Sequence, residues 1–267
     1  MMVHQKRISA PDTWPIERKH QVYTVGSQAG PHDSGAVPLV VFVRDILGYC
    51  EDAKEVRYVL ENDGIFLNGE PVSDHQRQIG TFDILSFPAR DEFYRVFPGE
   101  GGRLALTPVE EDAATDKLAK IDDVTEVPGG DTQLNLHNGY NLLVEDDGYS
   151  TGDSVVVDLD ESEIVDHFPY TEGCAVTAVK GRHSGEVGEL LDVLVNEGSS
   201  PNTVSVELTD GTVFETVEDY VFVIGESITS LEEQEEAEAE DVSELKEEHD
   251  DELETAEEAD DHGEGDG

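Results

Sequence analysis

One end of this chain cannot contribute to a core. Residues 226–267 hold 21 acidic residues and one Lys, in runs such as Leu231-Glu232-Glu233-Gln234-Glu235-Glu236. A segment so charged and so poor in apolar side chains stays solvated, because it buries too little to offset the entropy of ordering. It reads as a disordered acidic tail, and whatever folds must come from the first 225 residues. Those still carry 42 acids against 15 bases, a net of −27 within a whole-chain charge of −47. Only six of the 15 are Lys. Carboxylates hold water and cations whereas Lys exposes a long apolar stem, so this imbalance marks a surface suited to a molar-salt cytoplasm. Net charge alone would repel nucleic acid and anionic membrane. At 1 M salt, however, the Debye length is about 3 Å, and only bases in direct contact with a partner count.

The informative residues are therefore the bases that remain. Residues 1–25 contain Lys6, Arg7, Arg18 and Lys19 against Asp12 and Glu17, a net of +2 before His4 and His20 are considered. Pro11, Pro15 and Pro31 forbid a long helix there, so an extended basic arm is expected. From Val37 to Leu47, apolar residues at three- and four-residue spacing predict a short helix stopped by Gly48. A second helix follows Glu51-Asp52, with Ala53, Val56, Val59 and Leu60 on one face and Lys54 and Arg57 directed elsewhere. Strands are predicted at Gly64 to Asn68, before an Asn68-Gly69 turn, and at Phe82 to Phe87, stopped by Pro88. Strand-like runs continue at 94–97, 103–106, 133–136, 141–144 and 154–159. Five more between Gly173 and Gly225 fit a small barrel. The expected fold is multidomain α+β: a basic N-terminal arm (1–36), a two-helix domain with a small sheet (37–92), a central β domain (93–170), a β barrel (171–225) and the acidic tail (226–267).

No strict catalytic or metal template is met. The His residues include no His-x-x-x-His, and Cys50 and Cys174 lack partners at zinc-ligand spacing and suggest no disulfide framework. Asp158-Leu159-Asp160-Glu161-Ser162 opens like a calcium loop but lacks the Gly at its sixth place. Gly181-Arg182-His183-Ser184-Gly185 is not a nucleophile elbow, and Gly99-Glu100-Gly101-Gly102-Arg103 is not a phosphate-binding Walker loop. An enzyme is not expected, and no catalytic residue, metal or cofactor is assigned. The longest apolar stretch, Val37 to Val43, is far short of the roughly 20 residues a spanning helix needs. No secretory signal pattern opens the chain, and a cytoplasmic location is expected.

Three groups of motifs carry a resemblance. The 37–92 segment, with Asp63-Gly64-Ile65-Phe66-Leu67-Asn68-Gly69 and Ile79-Gly80-Thr81-Phe82-Asp83-Ile84, resembles an S-four-type RNA-binding domain, although Asp63 stands where that pattern has Gly and Val56 where it has a small residue. Residues 173–191, Gly173-Cys174-Ala175-Val176 through Gly188-Glu189-Leu190-Leu191, resemble a KOW motif in an SH3-like barrel. Gly181, Gly185 and Gly188 give its turn a permissive backbone that lets a partner approach. Lys180 and Arg182, beside His183, are the only Lys or Arg between Lys120 and Lys246. The third group is the basic arm with Trp14-Pro15-Ile16-Glu17-Arg18-Lys19, the 129–139 stretch from Gly129 to Gly139, and the ending Asp219-Tyr220-Val221-Phe222-Val223-Ile224-Gly225. Taken in order over about residues 4–225, these resemble the archaeal and eukaryotic small-subunit ribosomal protein family S-four-e, here in a haloarchaeal version.

That resemblance implies a non-catalytic structural constituent of the small ribosomal subunit, ribosome-associated in the cytoplasm, that binds and stabilises small-subunit rRNA. Its partners would be that rRNA and neighbouring ribosomal proteins, with no membrane, cofactor or small-molecule substrate. The arm is expected to order on RNA, with Lys6, Arg7, Arg18 and Lys19 at phosphates. Trp14 either stacks on RNA or packs on the first domain. Arg44, Lys54, Arg57 and Arg77 are the candidates on the helical domain, and Lys180, Arg182 and His183 those on the barrel. The alternative is a KOW-containing transcription elongation factor that binds RNA polymerase or nascent RNA. Such a factor would not be expected to carry the Trp-containing arm or the helix pair. An RNA-modifying enzyme would need a larger catalytic domain than 93–170 allows.

Overall fold

A computed structural model describes residues 4–26, 30–32, 35–62, 64–145 and 148–225. The expected acidic tail at 226–267 lies outside the described residues, as does Asp63. The arm is folded onto the body. Strands His4–Lys6 and Tyr23–Val25 pair antiparallel, and the loop between them turns Ala10, Trp14 and Ile16 into the main core. The prolines do prevent a long helix, but three apolar side chains along one loop are enough to anchor it.

The first expected helix differs in kind. Val41–Ile46 is a π-helix, in which the Leu47 N–H donates to Phe42 O, five residues back, at 2.9 Å. Leu39 to Val43 are all buried, whereas Arg44 and Asp45 are half-buried and Ile46 is exposed, so the segment enters the core by its N-terminal part. The second, Ala53–Leu60, is an ordinary amphipathic helix. The Asp52 carboxylate accepts from the Lys54 and Glu55 N–H groups at 2.7 and 2.9 Å, a side-chain N-cap. Val56 and Leu60 face the core, while Lys54, Arg57 and Tyr58 are exposed.

Three five-stranded antiparallel sheets make up most of the rest, so the protein is mostly β. The first runs in the order Glu70–Pro71, Phe66–Leu67, Ile84–Phe87, Glu92–Pro98, Leu104–Val109. It crosses the boundary expected at 92/93: Pro88 ends one strand, but the turn that follows, closed by Arg90 N–H to Phe87 O, returns the chain antiparallel to the same sheet.

The middle sheet is ordered Asn141–Val144, Thr132–Leu136, Asp116–Glu126, Ser154–Asp158, Ile164–Phe168. Its central strand, Asp116–Glu126, was not among the strands expected from the sequence. Asp158, the start of the calcium-like motif, accepts from the Asp160 and Glu161 N–H groups at 2.8 Å and so shapes the turn into the last strand.

All five strands expected between Gly173 and Gly225 form, in the order Val213–Val217, Thr203–Leu208, Val187–Leu194, Ala175–Ala178, Val221–Val223. The two outer strands are consecutive in the chain, joined only by Glu218–Tyr220. In a flat sheet they would lie roughly 19 Å apart at about 4.8 Å per strand, beyond the roughly 14 Å that such a link can span. The sheet must therefore curl, and it does so around Val176, Leu190, Val204, Val206 and Val221. Among the described residues no helix is long and apolar enough to cross a membrane.

Candidate nucleic-acid interface

The bases singled out in the sequence divide sharply once placed. Trp14 takes the second of the two positions open to it. It is 2% exposed and its Nε1–H donates to Ala36 O at 2.9 Å, so it is a core residue and leaves the set of RNA-stacking candidates. Arg7 is also buried, its Nε donating to Glu17 O at 2.5 Å. It braces the arm from inside, which corrects its assignment to a phosphate. Arg18 reaches Ala10 O at 2.7 Å and pairs with Asp12, and Arg44 grips Asp45 with two hydrogen bonds of 3.1 and 2.7 Å. Both are neutralised locally. His183 is stacked on Phe214 with ring centroids 4.1 Å apart, and its Nδ1 lies 2.7 Å from Glu186 Oε2. It supports the loop more than it presents a charge. Lys6, Lys19, Lys54, Arg57, Arg77, Lys180 and Arg182 are exposed, on the arm, on the helix Ala53–Leu60, in the loop before Gln78–Ile79 and in the loop after Ala175–Ala178. Lys180 lies over the Tyr220 ring, 5.8 Å from its centroid.

Four other bases are accounted for inside the fold or beside an acid. Arg95 is buried and donates to Ala113 O and Asp116 O at 2.6 and 2.8 Å. Lys120 donates to Val221 O at 2.8 Å and Glu218 O at 3.3 Å, tying the middle sheet to the C-terminal one. Burial lowers its pKa, and Asp122, Asp219 and Glu218 work against that shift. Arg90 pairs with Glu92.

The fourth, Lys117, forms the centre of a polar junction. Its Nζ sits 2.5 Å from Asp83 Oδ1, inside the protein. Asp83 also accepts from His32 Nε2 and from Gly80 N–H at 2.8 Å, and from Asn68 Nδ2 at 2.9 Å. Burial opposes the charge of Asp83, yet the Lys117 ammonium, and after it His32 and the Gly80 N–H, hold its carboxyl well below the usual carboxylate range. The Asn68-Gly69 and Phe82-Asp83 turns of the S-four-like motif thus serve as the socket for a lysine of the next sheet.

The glycines of the KOW-like turn also have internal duties. Gly185 has φ +90°, and a Cβ there would lie 2.6 Å from Pro98 O. A side chain on Gly188 would strike Glu207 O. At these two positions the missing side chain lets the protein's own backbone approach closely.

Among the described residues no group of three or more His, Cys, Asp or Glu is placed to hold a metal. Residues 90–164 match the family described as Ribosomal family S4e, and residues 3–34 match the RS4NT (NUC023) domain. Small ribosomal subunit protein eS4 of Haloarcula marismortui is 54% identical over 230 residues, covering 86% of this chain and 98% of that protein. Its counterpart in Halobacterium salinarum is 53% identical over 227 residues, covering 85% and 97%. The crystal structure of the 30S ribosomal protein S4e from Thermoplasma acidophilum superposes with a TM-score of 0.61 at 26% identity, over 71% of this chain and 95% of that one. Identity sustained over nearly the full length of these relatives puts the chain among ribosomal proteins, and within them it belongs to the S4e family. The elongation-factor reading has no support in these relatives.

Proposed function

We propose that this chain is a structural, non-catalytic constituent of the small ribosomal subunit, in the cytoplasm of a salt-adapted cell, where it binds and stabilises small-subunit rRNA beside neighbouring ribosomal proteins. The observation that carries this reading is the 54% identity over 98% of a relative named as small ribosomal subunit protein eS4. The distribution of bases supports it. Lys6, Lys19, Lys54, Arg57, Arg77, Lys180 and Arg182 stay exposed on a surface otherwise given over to carboxylates. Recognition of this kind uses phosphate and 2′-hydroxyl contacts to a folded RNA shape, with little reading of base edges. Spread over the arm, the helical segment and the C-terminal sheet, the bases suit a partner contacted at several points. The test is sedimentation of a high-salt lysate followed by crosslinking: the protein should travel with the small subunit and crosslink to its rRNA. Recovery solely with RNA polymerase would overturn the reading.

A further inference from the structure

Two glycine-rich loops from different sheets meet at the protein surface. One is the hairpin loop 99–103, closed by Gly99 N–H to Arg103 O at 2.7 Å. The other connects Ala175–Ala178 to Val187–Leu194 and contains Gly181, Arg182 and Gly185. A Cβ on Gly102 would lie 3.6 Å from Ser184 Cβ and 3.8 Å from Gly181 O, and one on Gly185 would lie 2.6 Å from Pro98 O. The loops therefore touch backbone to backbone. Arg103 follows Gly102 and Arg182 follows Gly181, so this contact brings the two arginines to one seam. Both are exposed, and neither guanidinium has an ion-pair partner among the described residues.

Arg57 and Arg77 are exposed as well, but Arg103 and Arg182 differ from them in standing where two loops touch. Arg18, Arg44, Arg90 and Lys117, by contrast, each sit against a carboxylate. Two like charges at one seam repel, and nothing in the fold of either loop needs a guanidinium there. Arginine presents a planar fork of donors that matches phosphate oxygens in pairs. In molar salt, where the Debye length is about 3 Å, binding needs such direct contacts.

We infer that Arg103 and Arg182 form one phosphate-binding element, a pair of guanidinium groups from two sheets that grips the phosphodiester backbone of small-subunit rRNA where the loops meet. This rests on the rRNA-binding reading above and adds to it a residue, Arg103, and a composite site that exists only when the first and C-terminal sheets are docked. The Leu104 N–H to Thr13 O hydrogen bond of 2.9 Å ties the same hairpin to the arm.

The test uses the full chain and transcribed small-subunit rRNA, with affinity measured across a potassium chloride series. Arg103→Glu and Arg182→Glu should each weaken binding by about tenfold or more, and each should lower the slope of log affinity against log salt by about one. The double variant should lose less than the product of the single losses, because the two groups act on one site. Thermal melts of the free variants should match the wild type. Wild-type affinity in Arg103→Glu, or fully independent losses in the double variant, would overturn the joint site while leaving rRNA binding intact. Failure of the wild-type chain to bind the rRNA would instead overturn the reading on which the site rests.

Discussion

Lys117 and Asp83 form an ion pair inside the protein, Nζ to Oδ1 at 2.5 Å, that fastens the central strand of the middle sheet to a turn of the first. Removing one partner of a buried pair strands the other charge away from water. Lys117→Met is expected to cost about 3–5 kcal/mol, read as a lowered unfolding midpoint in denaturant at constant molar salt. A loss no larger than that of an exposed lysine such as Lys54→Met would show that the pair does not hold the sheets together.

His137 gives a pH prediction with a defined sign. Its Nδ1 accepts from Lys120 N–H at 3.1 Å, while Nε2 faces Thr81 O. Burial, with Lys117 and His32 adding to it, pushes its pKa down from 6.5 to about 3. Between those values the unfolded chain binds a proton that the folded chain does not, so stability is fully present above about pH 6.5 and is lost as pH falls toward 3. His137→Gln should flatten the stability profile in that window by up to about 1.4 kcal/mol per pH unit relative to wild type. Parallel profiles for the two proteins between pH 4 and 6.5 would contradict the neutral, enclosed imidazole.

Trp14 reports on the arm. As the only Trp in the chain, it should emit at the blue wavelengths of an enclosed indole in the free protein and shift to the red on unfolding. Trp14→Ala should cost about 3–5 kcal/mol, and Trp14→Phe about 1–3 kcal/mol through the unpaired Ala36 carbonyl. An exposed-type emission spectrum without RNA would show that the arm waits for its partner before folding.

Lys6 and Lys19 should behave differently from Arg7, though all three look alike in the sequence. Reversing Lys6 and Lys19 to Glu should weaken rRNA binding and leave the melting temperature of the free protein within about 2 °C, since exposed sites shift stability by about 0.5 kcal/mol or less. Arg7→Glu should lower the melting temperature itself, because it puts a carboxylate in place of a buried donor facing Glu17 O. Equal melting temperatures for Arg7→Glu and wild type would remove Arg7 from the arm's interior.

Gly185 tests the seam between the loops. Gly185→Ala adds a Cβ 2.6 Å from Pro98 O at φ +90°, strained for any side chain and with only backbone to move. It should lower the melting temperature and weaken rRNA binding together, whereas Gly211→Ala, at φ +81° in open space, should lower stability alone.

Much of the fold could be read from local pattern. Strands of the C-terminal sheet are short runs rich in Val and Leu, with strict alternation in Thr203–Leu208, and Gly or Asp-Gly turns punctuate several of them, so each is legible without its partner. Asp116–Glu126 was not. Asp116-Lys117-Leu118-Ala119-Lys120 looks like a surface stretch, because its two lysines are drawn inward by groups far away in sequence: Asp83 for Lys117, and the Val221 carbonyl for Lys120. The candidate interface shows the same limit. Counting bases against acids pointed to the arm and the KOW-like loop, but Arg7 and Arg182 are indistinguishable by that measure. One donates inward to a carbonyl ten residues on, and the other stands exposed. Arg103 carries no such signal in the sequence, because it stands alone beside a glycine-rich loop that matches no nucleotide-binding motif.

By itself the sequence determined the salt-adapted surface, the succession of arm, helical segment and β segments, and the family resemblance, since composition, periodicity and motif order are local properties of a chain. Only the tertiary structure decided which of its few bases face outward. Whether a charge is buried depends on what folding carries next to it. Here the partners are backbone carbonyls and carboxylates from other segments, and their positions are set by sheet pairing and not by neighbours in the chain.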